Sequence, residues 1–460
     1  MPYTIVALAT PTGRSGIGVV RVSGASSVAI LQDLVSETNF QPEPRHAHLA
    51  KLIDRTSGET IDSAVVTFFK APNSFTGEDV VEISCHGSPV LLRQVIDICL
   101  ANGARMADPG EFTLRALANG RIDLAEAEAI RDLIDAQTTA AARQAVRQMQ
   151  GEFSEQLGPL KDDLLDVIVI LESSIEFVED DLPEVQTQNV RNKLITIRDA
   201  VAQLAATFTV GHLIREGLRV AIVGRPNVGK SSLFNALLGT DRAIVTDIAG
   251  TTRDQLHERF VVDGIPISLI DTAGLRVTED RVEKIGVERS RRTMADADIV
   301  VVMLDASEEI TDEDHAIIES VAAVNYIVAI NKIDKAPSWD IDHLTAADNS
   351  RLTNLRDKLV AISARTGEGL DDLRHAIVHP FGVEDATTQG FLVTDARHHD
   401  LLTRARDEIG ESLVSLDARM SEEIILVGLH NALRYLGEIT GETTTEDMLS
   451  RIFSTFCIGK

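Results

Sequence analysis

Short apolar runs alternate with turn residues over the first 118 positions of the chain. The runs cover residues 4–8, 18–22, 64–69 and 80–84, and their length and spacing are typical of β-strands. Pro and Gly between residues 11 and 16 predict a loop, and residues 88–100 carry the apolar spacing of a helix. This segment is therefore predicted to be a mixed α/β domain.

Helical periodicity replaces the strand pattern from Arg121 onward. Apolar positions predict one helix running to about Gln150, a second that follows Pro159 and a third over residues 190–204. The same periodicity returns after Pro380. These stripes are interpreted as the core positions of a helical bundle, and the segment between its two parts is predicted to be inserted into it.

The inserted segment, residues 214–379, opens with the most specific motif of the chain. An apolar run over residues 218–223 leads into Gly-Arg-Pro-Asn-Val-Gly-Lys-Ser, which ends at Ser231, and a helical pattern follows. Strand, glycine-rich turn and helix predict a phosphate-binding P-loop whose backbone N–H groups point at phosphate oxygens. Lys230 would supply a charge for the β- and γ-phosphates, and Ser231 a hydroxyl for Mg²⁺. The strand-to-helix setting disfavours an ordinary glycine turn.

Three later loops each follow a further apolar run, with Asp-Thr-Ala-Gly at 271–274, Asn-Lys-Ile-Asp at 331–334 and Ser-Ala-Arg at 363–365. Asp271 is predicted to bring a carboxylate to Mg²⁺. Asp334 is predicted to accept the two N–H groups on the edge of guanine, a pair that adenine lacks. Taken alone, each of these sequences is also typical of an ordinary turn at the end of a strand, in which an Asp or Ser side chain caps the backbone. All four motifs in this order predict a GTP-binding domain.

The residue after Asp-Thr-Ala-Gly is Leu275, where Ras-like GTPases commonly carry a glutamine that orients the attacking water. Leucine cannot orient water, so another group must. Asn227 is a candidate ligand for a monovalent cation, with oxygens of residues 246–251, or else an amide that stabilises its turn. Thr252 is a candidate Mg²⁺ ligand, and Arg253 is either an arginine finger in cis or the partner of a nearby carboxylate.

Four further polar residues have two interpretations each. Arg21 and Glu82 are either site residues or an ion pair on neighbouring strands, and the ion pair is the favoured interpretation. Glu283 either orients water or is an ordinary solvated glutamate. Cys457, three residues before the end of the sequence, is either a buried cysteine that docks the tail or a reactive thiol.

Charge and composition limit the class of protein. A net charge of −27 at pH 7 opposes contact with nucleic-acid phosphates, so RNA would need a local basic patch or a partner protein. The 44% hydrophobic content predicts a soluble globular protein, and no apolar run approaches the roughly 20 residues of a membrane span. The start has no basic secretory region, and the 3 cysteines lack metal-ligand spacing. A cytoplasmic protein with reduced thiols is predicted.

Together these motifs resemble the MnmE family of tRNA-modifying GTPases, also called TrmE, over essentially the whole chain. The resemblance rests on the P-loop, on Ile-Ala-Gly-Thr-Thr-Arg-Asp from Ile248, on Asp-Thr-Ala-Gly-Leu-Arg from Asp271 and on the terminal Cys-Ile-Gly-Lys. Ser-Phe-Thr-Gly-Glu-Asp from Ser74 and Pro-Gly-Glu-Phe from Pro109 also resemble the family. The fold it implies is an α/β folate-binding domain, an all-helical domain and an inserted P-loop, Ras-like α/β G domain. The implied bounds are 1–118 for the folate domain, 119–213 and 380–460 for the helical halves, and 214–379 for the G domain.

The resemblance also implies site residues. The implied GTP contacts are Asn227, Val228, Gly229, Lys230, Ser231, Ser232, Thr246, Asp247, Ile248, Ala249, Gly250, Thr251, Thr252, Asp271, Thr272, Ala273, Gly274, Asn331, Lys332, Asp334, Ser363, Ala364 and Arg365. The implied metal ligands are Asn227, Thr246, Ile248 and Thr251 for K⁺, and Ser231 and Thr252 for Mg²⁺. The implied folate contacts are Arg21, Glu82, Arg121 and Lys460. Lys230, Glu283 as the water-organising residue and Cys457 are the implied catalytic residues.

The function implied by the resemblance is a K⁺-activated GTPase that works as a homodimer. With the FAD-dependent flavoprotein MnmG, it would add an aminomethyl or carboxymethylaminomethyl group to carbon 5 of the tRNA wobble uridine. The one-carbon unit would come from 5-formyl- or 5,10-methylene-tetrahydrofolate. The alternatives are a ribosome-assembly or signalling GTPase, or a folate-binding structural module with a vestigial G domain. Intact Lys230, Asp271 and Asp334 argue against the vestigial domain.

Overall fold

The structure is a computed structural model that describes residues 3–176, 184–240, 259–270, 297–336, 357–382, 390–442 and 446–459. The chain divides into two compact units. The first contains Met1–Ile134, Val146–Val190 and Glu411–Lys460, and the second contains Asp135–Ala145 and Arg191–Gly410. The two ends of the chain therefore belong to one unit. The predicted domain bounds stay predictions.

A six-stranded sheet forms the centre of the first unit, in the order β3-β4-β5-β2-β1-β6. Its strands are β1 (Ile5–Leu8), β2 (Ser15–Ser23), β3 (Ala47–Ile53), β4 (Thr60–Phe69), β5 (Val80–Gly87) and β6 (Arg105–Met106). All neighbours run antiparallel except β1 and β6. Inward residues such as Val20, Val66 and Ile83 are fully buried in a core shared with two helices. Because side chains alternate along a strand, Arg21 and Glu82 lie directly opposite each other on the other face.

The following helices, given in chain order, lie wholly or partly in the first unit. They are α1 (Ser27–Leu34), α2 (Pro89–Ala101), α3 (Glu111–Ala118), α4 (Leu124–Asp135), α5 (Thr139–Met149), α6 (Glu152–Glu176) and α7 (Glu184–Ala206). The division between the units passes through α5 and α7. Fully buried Leu164, Val167 and Leu171 show that the apolar stripe of α6 is core, as predicted.

Three predicted element boundaries in this part of the chain are wrong. The helix predicted to run from Arg121 to about Gln150 is broken between α4 and α5, where the Thr138 hydroxyl accepts a hydrogen bond from the Ala141 N–H and caps the new helix. The helix predicted to follow Pro159 begins at Glu152 and contains this proline. Buried apolar residues on both sides of the proline, among them Phe153 and Leu157, hold the helix together. The third concerns the loop predicted over residues 11–16, because β2 starts at Ser15 and pairs with Gly87.

The second unit contains a six-stranded sheet in the order β12-β11-β10-β7-β9-β8. Its strands are β7 (Leu218–Gly224), β8 (Arg259–Val262), β9 (Ile265–Ile270), β10 (Ile299–Asp305), β11 (Tyr326–Asn331) and β12 (Leu359–Ala361). Every pair is parallel except β8 with β9. All residues of β10 and β11 are buried, which explains their unbroken apolar sequences. The carboxyl ends of β7, β10, β11 and β12 meet at one edge of the sheet.

Of the remaining helices, those up to residue 378 lie in the second unit, the next one crosses the division at residue 410, and the last two lie in the first unit. They are α8 (Phe208–Glu216), α9 (Lys230–Thr240), α10 (Asp312–Ser320), α11 (Leu370–Val378), α12 (Ala396–Asp417), α13 (Glu422–Thr440) and α14 (Glu446–Phe453). Short 3₁₀ helices follow β11 (Ile333–Lys335) and α11 (His379–Phe381). Among the described helices, none combines the length and apolar content needed to cross a membrane.

The chain segments that precede and follow the second sheet in sequence are joined by hydrogen bonds. The Arg215 guanidinium in α8 donates to an Asp395 carboxylate oxygen at 2.6 Å, just before α12. The Thr207 hydroxyl accepts the Val393 N–H at 3.0 Å. Burial opposes ionisation of Asp395, but His398 and Arg215 outweigh it and hold its pKa well below the usual range. The chain therefore enters and leaves this sheet at one place, which an ion pair fixes.

Candidate functional site

The P-loop lies between β7 and α9, as the sequence predicts. Asn227 has a φ of 64° and Gly229 a φ of 102°, so the loop turns through the left-handed region. A Cβ on Gly229 would lie 2.3 Å from the Asn331 side-chain nitrogen, so only glycine fits at this position. Lys230 Nζ donates to the carbonyl oxygens of Gly224 and Arg225, both at 2.7 Å. Burial lowers the pKa of Lys230 below its ordinary value.

The loop after β11 contacts both the P-loop and the loop after β12. The buried Asn331 amide donates to the Val228 carbonyl at 2.8 Å and accepts the Ala364 N–H at 2.9 Å. The Ser363 hydroxyl donates to Asp334 Oδ1 at 2.8 Å. These contacts bring three of the four predicted nucleotide motifs to one edge of the sheet. A carboxylate held in this way can accept the paired N–H groups of guanine.

Lys332, in the loop after β11, contacts the P-loop and also Asp305, a residue that was not predicted from the sequence. The φ of Lys332 is 68°, and its Nζ donates to the Asn227 carbonyl at 2.8 Å and to an Asp305 carboxylate oxygen. Burial opposes ionisation of Asp305, but the hydrogen bond from Lys332 outweighs it and lowers the pKa of Asp305. Asp305 is the last residue of the buried strand β10. A carboxylate at the end of an apolar run is the sequence signal that could have identified it.

Arg21 and Glu82 form the ion pair that was the favoured interpretation of the sequence. Arg21 Nε donates to Glu82 Oε1 at 2.9 Å, and a second guanidinium nitrogen lies 2.8 Å from the same oxygen. The guanidinium also lies over the rings of Phe75 and Phe112, 5.9 and 5.7 Å from their centroids. Its Nη1 donates to the Gly459 carbonyl at 3.2 Å. Two predicted folate residues and the C-terminal tail therefore meet on β2 and β5.

The loop over residues 74–79 lies beside this ion pair and is held by buried polar contacts. The Thr76 hydroxyl is 2.8 Å from the Ser23 hydroxyl, and the Thr76 carbonyl accepts from the Asn119 amide at 2.6 Å. The buried Arg115 guanidinium donates to Glu78 at 2.8 Å. Arg121, exposed, lies against Gly77 of the same loop. The loop was predicted from the family resemblance, whereas the buried Arg115 that supports it leaves no signal in the sequence.

The C-terminal tail is docked by its backbone and by phenylalanine, not by its thiol. Phe456 is buried against Phe453 in a cluster with Leu124, and the Gly110 N–H donates to the Cys457 carbonyl at 3.4 Å. The Cys457 thiol is exposed, so the interpretation of a buried cysteine docking the tail is wrong. The tail therefore leaves this thiol accessible near the Arg21 site.

Comparisons with known proteins cover nearly the whole chain. A family model described as the GTP-binding protein TrmE N-terminus matches residues 4–121, and one described as the MnmE helical domain matches residues 124–457. A protein of Koribacter versatilis named tRNA modification GTPase MnmE is 45% identical over 460 residues, or 99% of each chain. The chain belongs to the MnmE family.

Other members of the MnmE family match as completely. The tRNA modification GTPase MnmE of Aquifex aeolicus is 42% identical over 100% of each chain. The protein of the same name from Neisseria meningitidis serogroup B is 42% identical over 99% of each chain. The resemblance drawn from the motifs is confirmed.

Several positions expected from the MnmE family lie outside the described residues. They are Thr246, Asp247, Ile248, Ala249, Gly250, Thr251, Thr252, Asp271, Thr272, Ala273, Gly274, Glu283 and Lys460. Ser231, Ser232 and Arg365 are described and exposed at the predicted edge of the sheet. Within the described ranges, no group of three or more His, Cys, Asp or Glu residues is placed to hold a metal ion. The metal assignments stay predictions.

Proposed function

We propose that this chain is a GTPase whose GTP hydrolysis is coupled to tRNA modification, the activity that its relatives' name states of them. The observation that carries the proposal is the meeting of the P-loop, the Asn331 loop and the Ser363 loop at one sheet edge. Asn331 makes this connection through both ends of its amide, so the phosphate site and the base site form one unit. The full-length match to MnmE relatives favours tRNA modification over a ribosome-assembly or signalling role.

Lys230 is proposed to neutralise the β- and γ-phosphates. Its ammonium is partly buried beside two P-loop carbonyls, where burial lowers its pKa and a phosphate would replace neutral acceptors. Mg²⁺, when bound, would neutralise developing charge on the phosphates, and the Ser231 hydroxyl together with Thr252 would hold it. Glu283 is proposed to organise the attacking water.

The proposal extends to a K⁺ site that includes Asn227. Its described side chain fits, because an exposed amide oxygen on a left-handed turn is a neutral ligand and its backbone carbonyl is fixed by Lys332. Thr246, Ile248 and Thr251 would complete the ligand set. K⁺, when bound, would supply positive charge beside the β- and γ-phosphates.

The N-terminal site is proposed to bind a tetrahydrofolate, as the 5-formyl or 5,10-methylene form. The residues fit, since Glu82 can accept from a pterin edge and Arg21 lies between two aromatic rings. Arg121 and Lys460 would bind the carboxylates of the folate. The proposed assembly is a homodimer acting with the flavoprotein MnmG on the wobble uridine of tRNA. Cys457 is proposed to take part in the modification at carbon 5, since its thiol is free and exposed.

The proposal is tested with the purified full-length chain. GTP hydrolysis is measured in matched KCl and NaCl, and modified wobble uridine is measured by mass spectrometry after incubation with MnmG, a tetrahydrofolate donor and tRNA. We expect rapid GTP turnover in KCl, much slower turnover in NaCl, and modified uridine only with both proteins. A chain that does not bind guanine nucleotides would overturn the GTPase assignment, and equal rates in both salts would overturn the K⁺ site.

A further inference from the structure

Arg225 is a P-loop residue to which no role has been assigned above. It follows Gly224 at the end of β7, and its side chain extends to the start of α10. Its Nε donates to Asp314 Oδ1 at 2.7 Å, and a second guanidinium nitrogen lies 3.3 Å from Glu308 Oε2. The Asp314 side chain is 1% exposed and that of Arg225 17%, so this contact is largely screened from water. The hydrogen bond to Asp314 raises the pKa of Arg225 further.

Asp314 is itself fixed to the first turn of α10. Its second carboxylate oxygen accepts from the Thr311 N–H at 3.0 Å and the Thr311 hydroxyl at 2.9 Å, in a reciprocal capping box. Among the described residues, the side chain of Asp314 accepts from Thr311 at the helix start and from Arg225. The guanidinium connects the P-loop to a rigid helix end that follows a fully buried strand.

Three residues of the P-loop are held by other segments of the chain. The Arg225 side chain is held by α10, the Asn227 carbonyl by Lys332 and the Val228 carbonyl by Asn331. The carbonyl of Arg225 also accepts Lys230 Nζ, so the anchored residue positions the lysine that the triphosphate needs. A shift of residue 225 would move the lysine and the neighbouring amides together.

The same contact pairs the Arg225 guanidinium with two carboxylates. Asp314 and Glu308 are two carboxylates whose uncompensated field would oppose a polyanionic nucleotide in a chain of net charge −27. The Arg225 guanidinium supplies one positive charge to this pair at the start of α10. A charge-neutral residue of similar length would leave both carboxylates in place.

We propose that Arg225 is a positioning residue for guanine nucleotides, because it anchors the P-loop to the start of α10 and offsets the charge of Asp314 and Glu308. The inference rests on the proposed GTPase function and adds to it a residue that acts through others rather than by touching the nucleotide. It predicts weaker nucleotide binding without a loss of the chemical step.

The test compares Arg225→Met with a matched control in the full-length chain. Arg219→Met removes an arginine near the start of β7, the strand that ends just before Arg225, where it pairs with Asp298 at 3.1 Å. The KM and kcat for GTP and the Kd for a fluorescent GDP are measured for both. We expect Arg225→Met to raise KM and Kd about tenfold, which corresponds to about 1.4 kcal/mol, and to change kcat less than about twofold. Arg219→Met should match the wild type.

A double variant separates positioning from stability. Asp314→Asn added to Arg225→Met removes the buried uncompensated charge, so the melting temperature should recover, whereas KM should recover only in part because the P-loop still lacks its anchor to α10. If both recover fully, or if the single variant keeps the wild-type KM, the inference is overturned. If Arg225→Met does not fold, the double variant of Arg225→Met with Asp314→Asn replaces it, and a wild-type KM in that double variant overturns the inference equally. A wild-type chain that binds no guanine nucleotide would overturn the proposed function together with this inference.

Discussion

Asp334→Asn tests the proposed guanine site most directly. In the structure one Asp334 oxygen accepts the Ser363 hydroxyl at 2.8 Å, which fixes the carboxylate at the edge of the sheet. The substitution replaces an acceptor-only group with one that also donates. Its NH₂ then faces a donor of guanine but an acceptor of xanthine, so the preference for the base should reverse.

The expected magnitude follows from the bonds lost. Two hydrogen bonds from guanine to a charged carboxylate contribute about 1.5–3 kcal/mol each, so their loss costs about 3–6 kcal/mol. That range corresponds to a loss of GTP affinity of roughly 10²- to 10⁴-fold. Ser363→Ala removes one hydrogen bond that orients the carboxylate but leaves the carboxylate itself to accept from guanine, and about tenfold or less is expected.

The assay is competition of GTP and xanthosine triphosphate against a fluorescent nucleotide bound to each variant. Asp371→Asn is the matched control, because its carboxylate is 85% exposed and pairs with Arg374 on α11. We expect unchanged affinity in this control, since exposed ion pairs contribute little. If Asp334→Asn binds GTP as tightly as the wild type does, the assignment of Asp334 to the base is wrong.

Three further predictions concern other parts of the chain. Arg21→Met should weaken binding of 5-formyl-tetrahydrofolate at least about tenfold by calorimetry, because Glu82 loses its charged partner; an unchanged Kd would place the folate elsewhere. Cys457→Ser should leave GTP turnover unchanged and abolish modified wobble uridine in mass spectra of tRNA, and normal modification would show that the thiol is not needed. Asp395→Asn should lower the free energy of unfolding by about 2 kcal/mol at pH 7, because Arg215 loses a charged and partly buried partner. The pKa of Asp395 is depressed in the folded state, so this difference should shrink in urea titrations as pH falls below about 4; a constant difference from pH 7 to pH 2 would refute the argument.

The P-loop and the Asn331 loop could be predicted because their chemistry is local. A glycine whose φ is positive, a lysine and a helix start lie within a few residues of one another, so spacing alone specifies their arrangement. Helix boundaries were harder to predict from the sequence. Thr138 ends one helix pattern and begins another, and the packing around Pro159 keeps α6 continuous through a residue that usually ends a helix.

Contacts between distant residues required the structure. Arg21 reaches the Gly459 carbonyl across 438 positions of sequence, and Arg225 reaches Asp314 across 89. Neither pair leaves a periodic signal, because each depends on sheet order and on which face a strand buries. The exposed thiol of Cys457 likewise follows from the burial of its neighbour Phe456.

The sequence by itself determined which chemical groups this protein carries in each loop, and hence its family and the class of nucleotide expected. The tertiary structure decided which of those groups meet: Asn331 with Val228 and Ala364, Lys332 with Asp305, and Arg21 with the tail. The physical reason is the separation in sequence between the residues that interact. Short backbone spacings constrain a local motif, whereas long-range pairs form only when burial of the two sheets fixes strand order and register.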